Sequence, residues 1–187
     1  MKTAEYLSVL VSIIIGLGIS QVLSGVANLL VDRRRVRFDW AWALAVALIF
    51  LANVQFWWST FSVGAAVATN FFSFIFFLLS PIALYLSAVL ILPDFDGEGE
   101  IDLRAHFDAN VRWFLGTTAV VPLVNAIRSI VISGDPVWMT ARPFELAFFV
   151  LTVAGAVLRS ARLHRILIVA MAALFITFLI TAGLRPG

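Results

Sequence analysis

Cysteine is absent from the chain. Its absence excludes disulfides, thiolate nucleophiles and cysteine-ligated zinc or iron–sulfur centres. Lysine occurs once, as Lys2, so no retinal-type Schiff base can form inside a membrane span. Charge is scarce altogether: 13% of residues are charged and 62% are hydrophobic, with a mean hydropathy of +1.03. A soluble domain is nearer half apolar and a quarter charged, so water is not the main solvent of this chain. The formal charge of +2 is too small to argue for a nucleic-acid partner. No Ser/His/Asp order, HExxH motif or glycine-rich phosphate loop occurs, so no enzyme activity and no cofactor are expected. The two histidines, His106 and His164, stand far apart in sequence near expected helix starts. A metal or haem site needs convergent ligands, and nothing in the spacing brings these two together.

What the chain does contain is a series of apolar runs, at about 5–31, 40–63, 67–92, 107–132, 143–160 and 164–184. A helix needs roughly 20 such residues to cross about 30 Å of hydrocarbon. Helices are the default because lipid offers no partner to exposed backbone N–H and C=O groups. The short alternating segments of a β-barrel do not occur. The expectation is an all-α polytopic membrane protein, a single transmembrane domain over 1–187 built as a bundle of six transmembrane helices. Lys2 followed by an apolar run resembles a signal peptide, but that run is about 25 residues against about 7–15 for a signal core. It ends in Asp32-Arg33-Arg34-Arg35-Val36-Arg37, so a retained first span is expected. Links are expected at Gly64–Ala66 and, with turn chemistry in Gly134-Asp135-Pro136, at Ser133–Arg142. Pro143 suits the first turn of the fifth helix, where its missing N–H costs nothing. The loop 93–105 divides the chain into two three-helix halves. Such halves would insert oppositely, as in inverted-repeat transporters, but no motif repeats between them.

Six spans place both termini on one side, together with Lys2, Arg142, Arg185 and Arg128. The other side carries Arg33, Arg34, Arg35, Arg37, Arg104, Arg159, Arg162 and Arg165. The positive-inside rule makes the arginine-rich side cytoplasmic and both termini periplasmic in a bacterial inner membrane. Trp40, Trp42 and Trp113 at the inner interface, with Trp57, Trp58 and Trp138 at the outer, agree with that orientation. Arg33, Arg34, Arg35, Arg37, Arg159, Arg162 and Arg165 are candidates for contact with anionic lipid headgroups. Arg159, Arg162 and Arg165 have the spacing of a voltage sensor, yet a sensor needs that series inside a span.

Within the spans, polar residues form two groups. In the first helix Ser8, Ser12, Gly16, Ser20, Ser24 and Asn28 recur every four residues. Small-xxx-small rows let helix backbones approach closely, so Ser8, Ser12, Gly16, Ser20 and Ser24 are candidates for helix packing. The amides Gln21 and Asn28 need partners in hydrocarbon, and Asn53, at a similar depth in the second span, can supply one to Gln21. The other reading is a wet wall. In the fourth span Asn125 and Arg128 share a face, with Glu5 and Glu145 on the same membrane side. Pro122 frees the carbonyl of Thr118 and bends that helix, and intramembrane ionisable groups are functional candidates by default. The candidate polar path is therefore Ser12, Ser20, Gln21, Ser24, Asn28, Asn53, Asn125 and Arg128. Asp108 and Arg112 have i,i+4 spacing and are expected to pair. Asp94 to Asp102 partly matches an EF-hand loop, but position 12, normally a bidentate Glu, is Ala105, so an exposed acidic turn is expected.

The stretches SVLVSIIIGLGISQVLSG, DRRRVR and NVQFWWSTF resemble a group of small bacterial multi-pass inner-membrane proteins of unassigned function. The resemblance covers mainly the first 60 residues and implies a membrane location without transferring any site residue. The leading expectation for function is passage of a small ion or solute, as a channel or transporter, along a polar path near helices one, two and four. The alternatives are a non-transporting interaction or assembly protein using the small face of helix one, and a lipid-handling protein. The expected partners are the bilayer with its anionic headgroups and further copies of the chain as a homo-oligomer.

Overall fold

The computed structural model describes residues 3–67, 71–95, 99–128 and 142–183, with side chains described for 9–60, 71–95, 99–128 and 143–181. The helices are α1 (Thr3–Val31), α2 (Trp40–Val67), α3 (Phe71–Ile91), α4 (Leu103–Thr118), α5 (Val120–Arg128), α6 (Arg142–Val157) and α7 (Ala161–Phe178). A π-helical turn, Leu179–Gly183, continues α7. The fold is all-α. The segments Val9–Val31, Trp40–Thr60, Phe71–Ile91 and Ala161–Thr181 are each long and apolar enough to cross a membrane, whereas Pro143–Val157 is a shorter apolar helix. Large apolar side chains such as Leu17, Leu30, Phe72, Trp113 and Ile166 lie exposed on the outside, the surface a bilayer would cover.

Two boundaries differ from expectation. The link at Gly64–Ala66 does not break the helix, because α2 runs on to Val67; a lone glycine weakens a helix without ending it. The run expected as a fourth span is, over its described residues, two helices rather than one, with a turn at Ala119 between α4 and α5. Pro122 has no N–H for the carbonyl of Thr118. Thr117 and Thr118 also turn their hydroxyls back on their own helix, Thr118 Oγ1 at 2.7 Å from Phe114 O and Thr117 Oγ1 at 3.0 Å from Trp113 O. Such back-bonding bends helices. Ser87 of α3 braces the joint, its Oγ 2.9 Å from Thr117 Oγ1 and 3.0 Å from Thr118 Oγ1. The turn Gly134-Asp135-Pro136, Trp138, Lys2 and Arg185 lie outside the described residues.

The bundle packs α1 on α2 and α3, α3 on α4 and α5, and α6 on α4, α5 and α7, with α2 touching α1, α3, α4 and α7. The buried face of α1 is Val11, Ile15, Gly18, Val22, Gly25 and Leu29, spaced alternately four and three residues apart, as a helix seam requires. The close approaches are at its glycines. A methyl group on Gly18 would meet Asn53 Oδ1 at 2.6 Å, and one on Gly25 would meet Leu92 Cδ2 at 2.5 Å. Lipid gives helices no hydrophobic drive to associate, so such contacts carry the packing. The small row expected to pack, within one chain or between copies, is turned away from this bundle: Ser12, Gly16, Ser20 and Ser24 are exposed, and nothing stands within 4 Å of a methyl built on Gly16. Ser8 lies outside the residues whose side chains are described.

At the arginine-rich end the connecting segments hold one another. Val36–Arg37 pairs in parallel with Ile101–Asp102, Ile101 N donates to Arg35 O at 2.8 Å, and Arg35 Nε donates to Gly99 O at 3.1 Å. Arg37 lies 3.5 Å from Asp102 and 3.8 Å from Glu100. The acidic loop thus meets the arginine turn. Asp102 also caps α4, accepting from Arg104 N and Ala105 N, each at 3.0 Å. The Ala105 N–H in particular, with Arg104 N–H and Arg37 assisting against desolvation, holds its carboxyl below the usual aspartate value.

Candidate functional site

A cavity of about 300 Å³ lies between α2, α3, α4, α5, α6 and α7. Helical spacing explains how each element contributes. From α2 come Leu48, Ala52, Gln55 and Ser59; from α5 come Val121, Asn125 and Arg128. Both sets follow the three-and-four spacing that places residues on one helix face. From α6 come Phe144, Glu145, Phe148 and Thr152, and from α7 Met171, Phe175 and Phe178. The α6 and α7 phenylalanines interlock as a wall, with ring centroids 5.7 Å apart for Phe144 and Phe178 and 6.0 Å apart for Phe148 and Phe175. Opposite them Phe56 and Phe77 stack at 5.6 Å. These separations suit aromatic pairs.

Polarity is concentrated at one end. Gln55, Ser59, Asn125, Arg128 and Glu145 lie towards the C-terminal ends of α2 and α5 and the N-terminal end of α6. The deeper Thr118 and Thr152 direct their hydroxyls to their own helices; Thr152 Oγ1 is 2.8 Å from Phe148 O and 2.9 Å from Phe149 O. Below Met171 and Phe114 the bundle is filled by Val46, Phe107, Val111, Leu115 and Ile168, all buried. Among the described residues the cavity is closed by packing at its apolar end and lined by polar groups at the other.

The opposite end is closed by charge. Asp39, 5% exposed, caps α2 by accepting from Ala41 N at 2.9 Å and Trp42 N at 3.0 Å. Its second oxygen is 3.2 Å from Arg165 Nη2, which is also 4.0 Å from Asp108 Oδ1. The guanidinium stands 6.0 Å over the Trp40 ring, a cation–π arrangement. One arginine of α7 therefore ties the N-terminal ends of α2 and α4. Asp108 does not pair with Arg112 as expected. Arg112 Nε donates instead to Ala156 O at 3.0 Å, and His164 Nε2 lies 3.0 Å from Gly155 O and 3.2 Å from Leu158 O. The end of the short helix α6 is thereby capped by side chains, which its orphan carbonyls require.

The sequence-derived candidates fall in three places. Ser12, Ser20, Ser24 and Asn28 lie on the exposed face of α1, with Gln21 half-buried beside them. Asn53 is fully buried; its Nδ2 donates to Ile49 O at 2.8 Å and its Oδ1 accepts no hydrogen bond, so the expected pair with Gln21 is not formed. Asn125 and Arg128 line the cavity together with Glu145, while Glu5 is outside the described side chains. Among the described residues no helix-one side chain lines the cavity. Among the arginines, Arg33, Arg34, Arg37, Arg159 and Arg162 are exposed, Arg37 lying beside Asp102 and Glu100, whereas Arg35 and Arg165 are half-buried with partners inside the protein. Trp42, expected in the interfacial girdle, is buried and donates from Nε1 to Ile91 O at 2.8 Å. His164, near the start of α7 as expected, is 3% exposed.

Sequence reasoning missed Gln55, Ser59 and the phenylalanine wall. The signal was present as the four-three-four spacing of Leu48, Ala52, Gln55 and Ser59. Among the described residues no group of three or more His, Cys, Asp or Glu is placed to hold a metal ion. Comparison with protein-family models, curated proteins and solved structures yields no match.

Proposed function

We propose that this protein carries a small molecule through a bacterial inner membrane, loading it into the cavity from the side opposite the arginine clusters. In this reading the chain crosses the membrane six times, α4 and α5 together making one crossing and α6 a short one. Both termini and the polar mouth face the periplasm. The observation that carries the reading is the cavity, closed at its apolar end among the described residues and with its polar groups gathered at the other. A channel needs a continuous wet path, and the packed layer beneath Phe114 and Met171 favours a carrier that opens to each side in turn. The polar path proposed here runs by Gln55, Ser59, Asn125, Arg128 and Glu145 rather than along α1. Vesicles reconstituted with the purified chain test it, using isotopic glycerol, betaine and lysophosphatidylcholine and a potential-sensitive dye for ions. Passage of at least one probe is expected, lost in Ala52→Trp and kept in Ser20→Leu. No passage of any probe, or equal passage in Ala52→Trp, overturns the reading.

A second reading, assembly of copies without transport, is favoured by the exposed row Ser12, Gly16, Ser20 and Ser24 on α1. Small rows on lipid-facing helices associate by close backbone approach. A change of oligomeric state in Gly16→Leu with passage unaltered would assign α1 to assembly alone.

A further inference from the structure

We infer that Arg165 is the latch of a gate at the arginine-rich end: through Asp39 and Asp108 it holds α2 against α4 and α7, and its release opens that seam. The inference rests on the carrier reading for what the gate admits. The latch itself rests on the geometry of this end alone.

The seam is the weaker side of the bundle. α3 packs far more extensively on α4 and α5 than α2 does on α4 and α7. Hydroxyls reinforce the α3 side, where Ser87 meets Thr117 and Thr118. A hinge on that side parts α2 from α4 and α7 while most of the packing is kept, the usual economy of hinge motions.

Charge crosses the seam at Arg165. Arg35 and Arg37 pair with Asp32, Glu100 and Asp102, within the turn and the acidic loop. Arg165 instead reaches from α7 to Asp39 at the start of α2, at 3.2 Å, and to Asp108 of α4, at 4.0 Å. One side chain thus joins the helices that a gate here has to separate.

The pairing is also incomplete. Asp108 Oδ1 and Arg165 Nη2 are both shielded from solvent, and neither makes a hydrogen bond among the described residues. Taking charges out of water costs free energy that only close, well-directed contacts return, and the 4.0 Å approach is longer than a hydrogen bond. Opening rehydrates these groups, so solvation regained offsets attraction lost. An apolar seam gains nothing of the kind, because water opposes its exposure. A charged tie therefore keeps closed and open forms close in free energy, which is what lets a ligand shift one to the other.

The residues just inside the latch report its state. Val111 is three residues beyond Asp108 on α4 and fully buried, and i,i+3 positions share a helix face. The test uses the full chain, which has no native thiol, in lipid nanodiscs with Val111→Cys and a membrane-impermeant cationic methanethiosulfonate. Labelling is expected to be slow in this parent and about tenfold faster with Asp108→Asn or Arg165→Gln added. Loss of a carboxylate slows a cationic reagent by charge alone, so acceleration in Asp108→Asn reports opening. Asp108→Glu, which keeps the charge and lengthens the reach, should leave labelling slow. Ala88→Cys, fully buried in α3, a helix the latch does not tie, should label slowly in every background. Unchanged labelling at position 111, or equal acceleration at 88 and 111, overturns the inference, the second because it marks a loosened bundle. Passage blocked by Ala52→Trp, with labelling unmoved by either latch variant, would remove the latch and leave the carrier reading. Latch-dependent labelling without passage of any probe would remove the carrier reading and leave the latch.

Discussion

Gly18 of α1 faces Asn53 of α2 so closely that a methyl group on Gly18 would stand 2.6 Å from Asn53 Oδ1. Asn53 cannot swing aside cheaply, because it is fully buried and its Nδ2 is bound to Ile49 O. Gly18→Ala is therefore expected to destabilise the bundle by about 1–3 kcal/mol, the usual range for overpacking. Gly16→Ala, two residues away on the opposite side of the helix with open space around it, should cost nothing and can even stabilise, since Ala is the better helix former. Reversible unfolding of both variants in mixed micelles checks the contrast, and equal effects would remove Gly18 from the interface.

Arg165 should matter far more than its neighbour Arg162. Removing Arg165 strands Asp39 and leaves Asp108 without its cation. Breaking one partner from a buried pair costs about 3 kcal/mol or more, whereas an exposed arginine such as Arg162 is worth under about 0.5 kcal/mol. Thermal unfolding of Arg165→Gln beside Arg162→Gln measures the difference, and a Tm loss shared by both would show that Arg165 is not tied inward.

Asp102 predicts a direction with pH. Its folded pKa is lowered, led by the Ala105 N–H. A depressed carboxylate contributes stability that is present above the unfolded value near 3.9 and is lost as pH falls through the folded one. Stability measured from pH 6 down to the acid limit, about 3, should fall less steeply for Asp102→Asn than for the parent chain. Parallel slopes would mean that the cap contributes nothing to acid sensitivity.

The absence of cysteine makes the orientation easy to examine. With Arg34→Cys or Ser59→Cys as the sole thiol, a membrane-impermeant maleimide applied to intact spheroplasts should label position 59 and spare position 34. Labelling at 34 alone would invert the orientation.

Much of the scaffold was legible beforehand. Helical content, the long apolar segments and the weak point near Pro122 between α4 and α5 follow from composition and from the missing proline N–H. Asn125, Arg128 and Glu145 were expected together as polar residues near one end of their helices, and the structure groups them around the cavity. Arg165 was not legible as a structural residue. Between Arg162 and a run of leucines and isoleucines it has the look of a headgroup anchor, and only the juxtaposition with Asp39, over a hundred residues earlier, turns it inward. The same holds for Arg112, whose acceptor on α6 no local spacing announces.

By itself the sequence determined the solvent and the secondary structure. A chain with so few charges and such long apolar runs must satisfy its backbone internally where it meets lipid, and helices do that within each segment. Only the tertiary structure decided which way each helix turns. In water a helix declares its inner face by polarity, but α1 and α2 are apolar nearly all round, and lipid accepts either face. The four-residue row of α1 therefore read first as a packing surface, with a wet wall as the other reading, while Gly18 and Gly25 looked unremarkable among the leucines. What turned them inward was the close fit to Asn53 and Leu92, and fit is a property of two surfaces together.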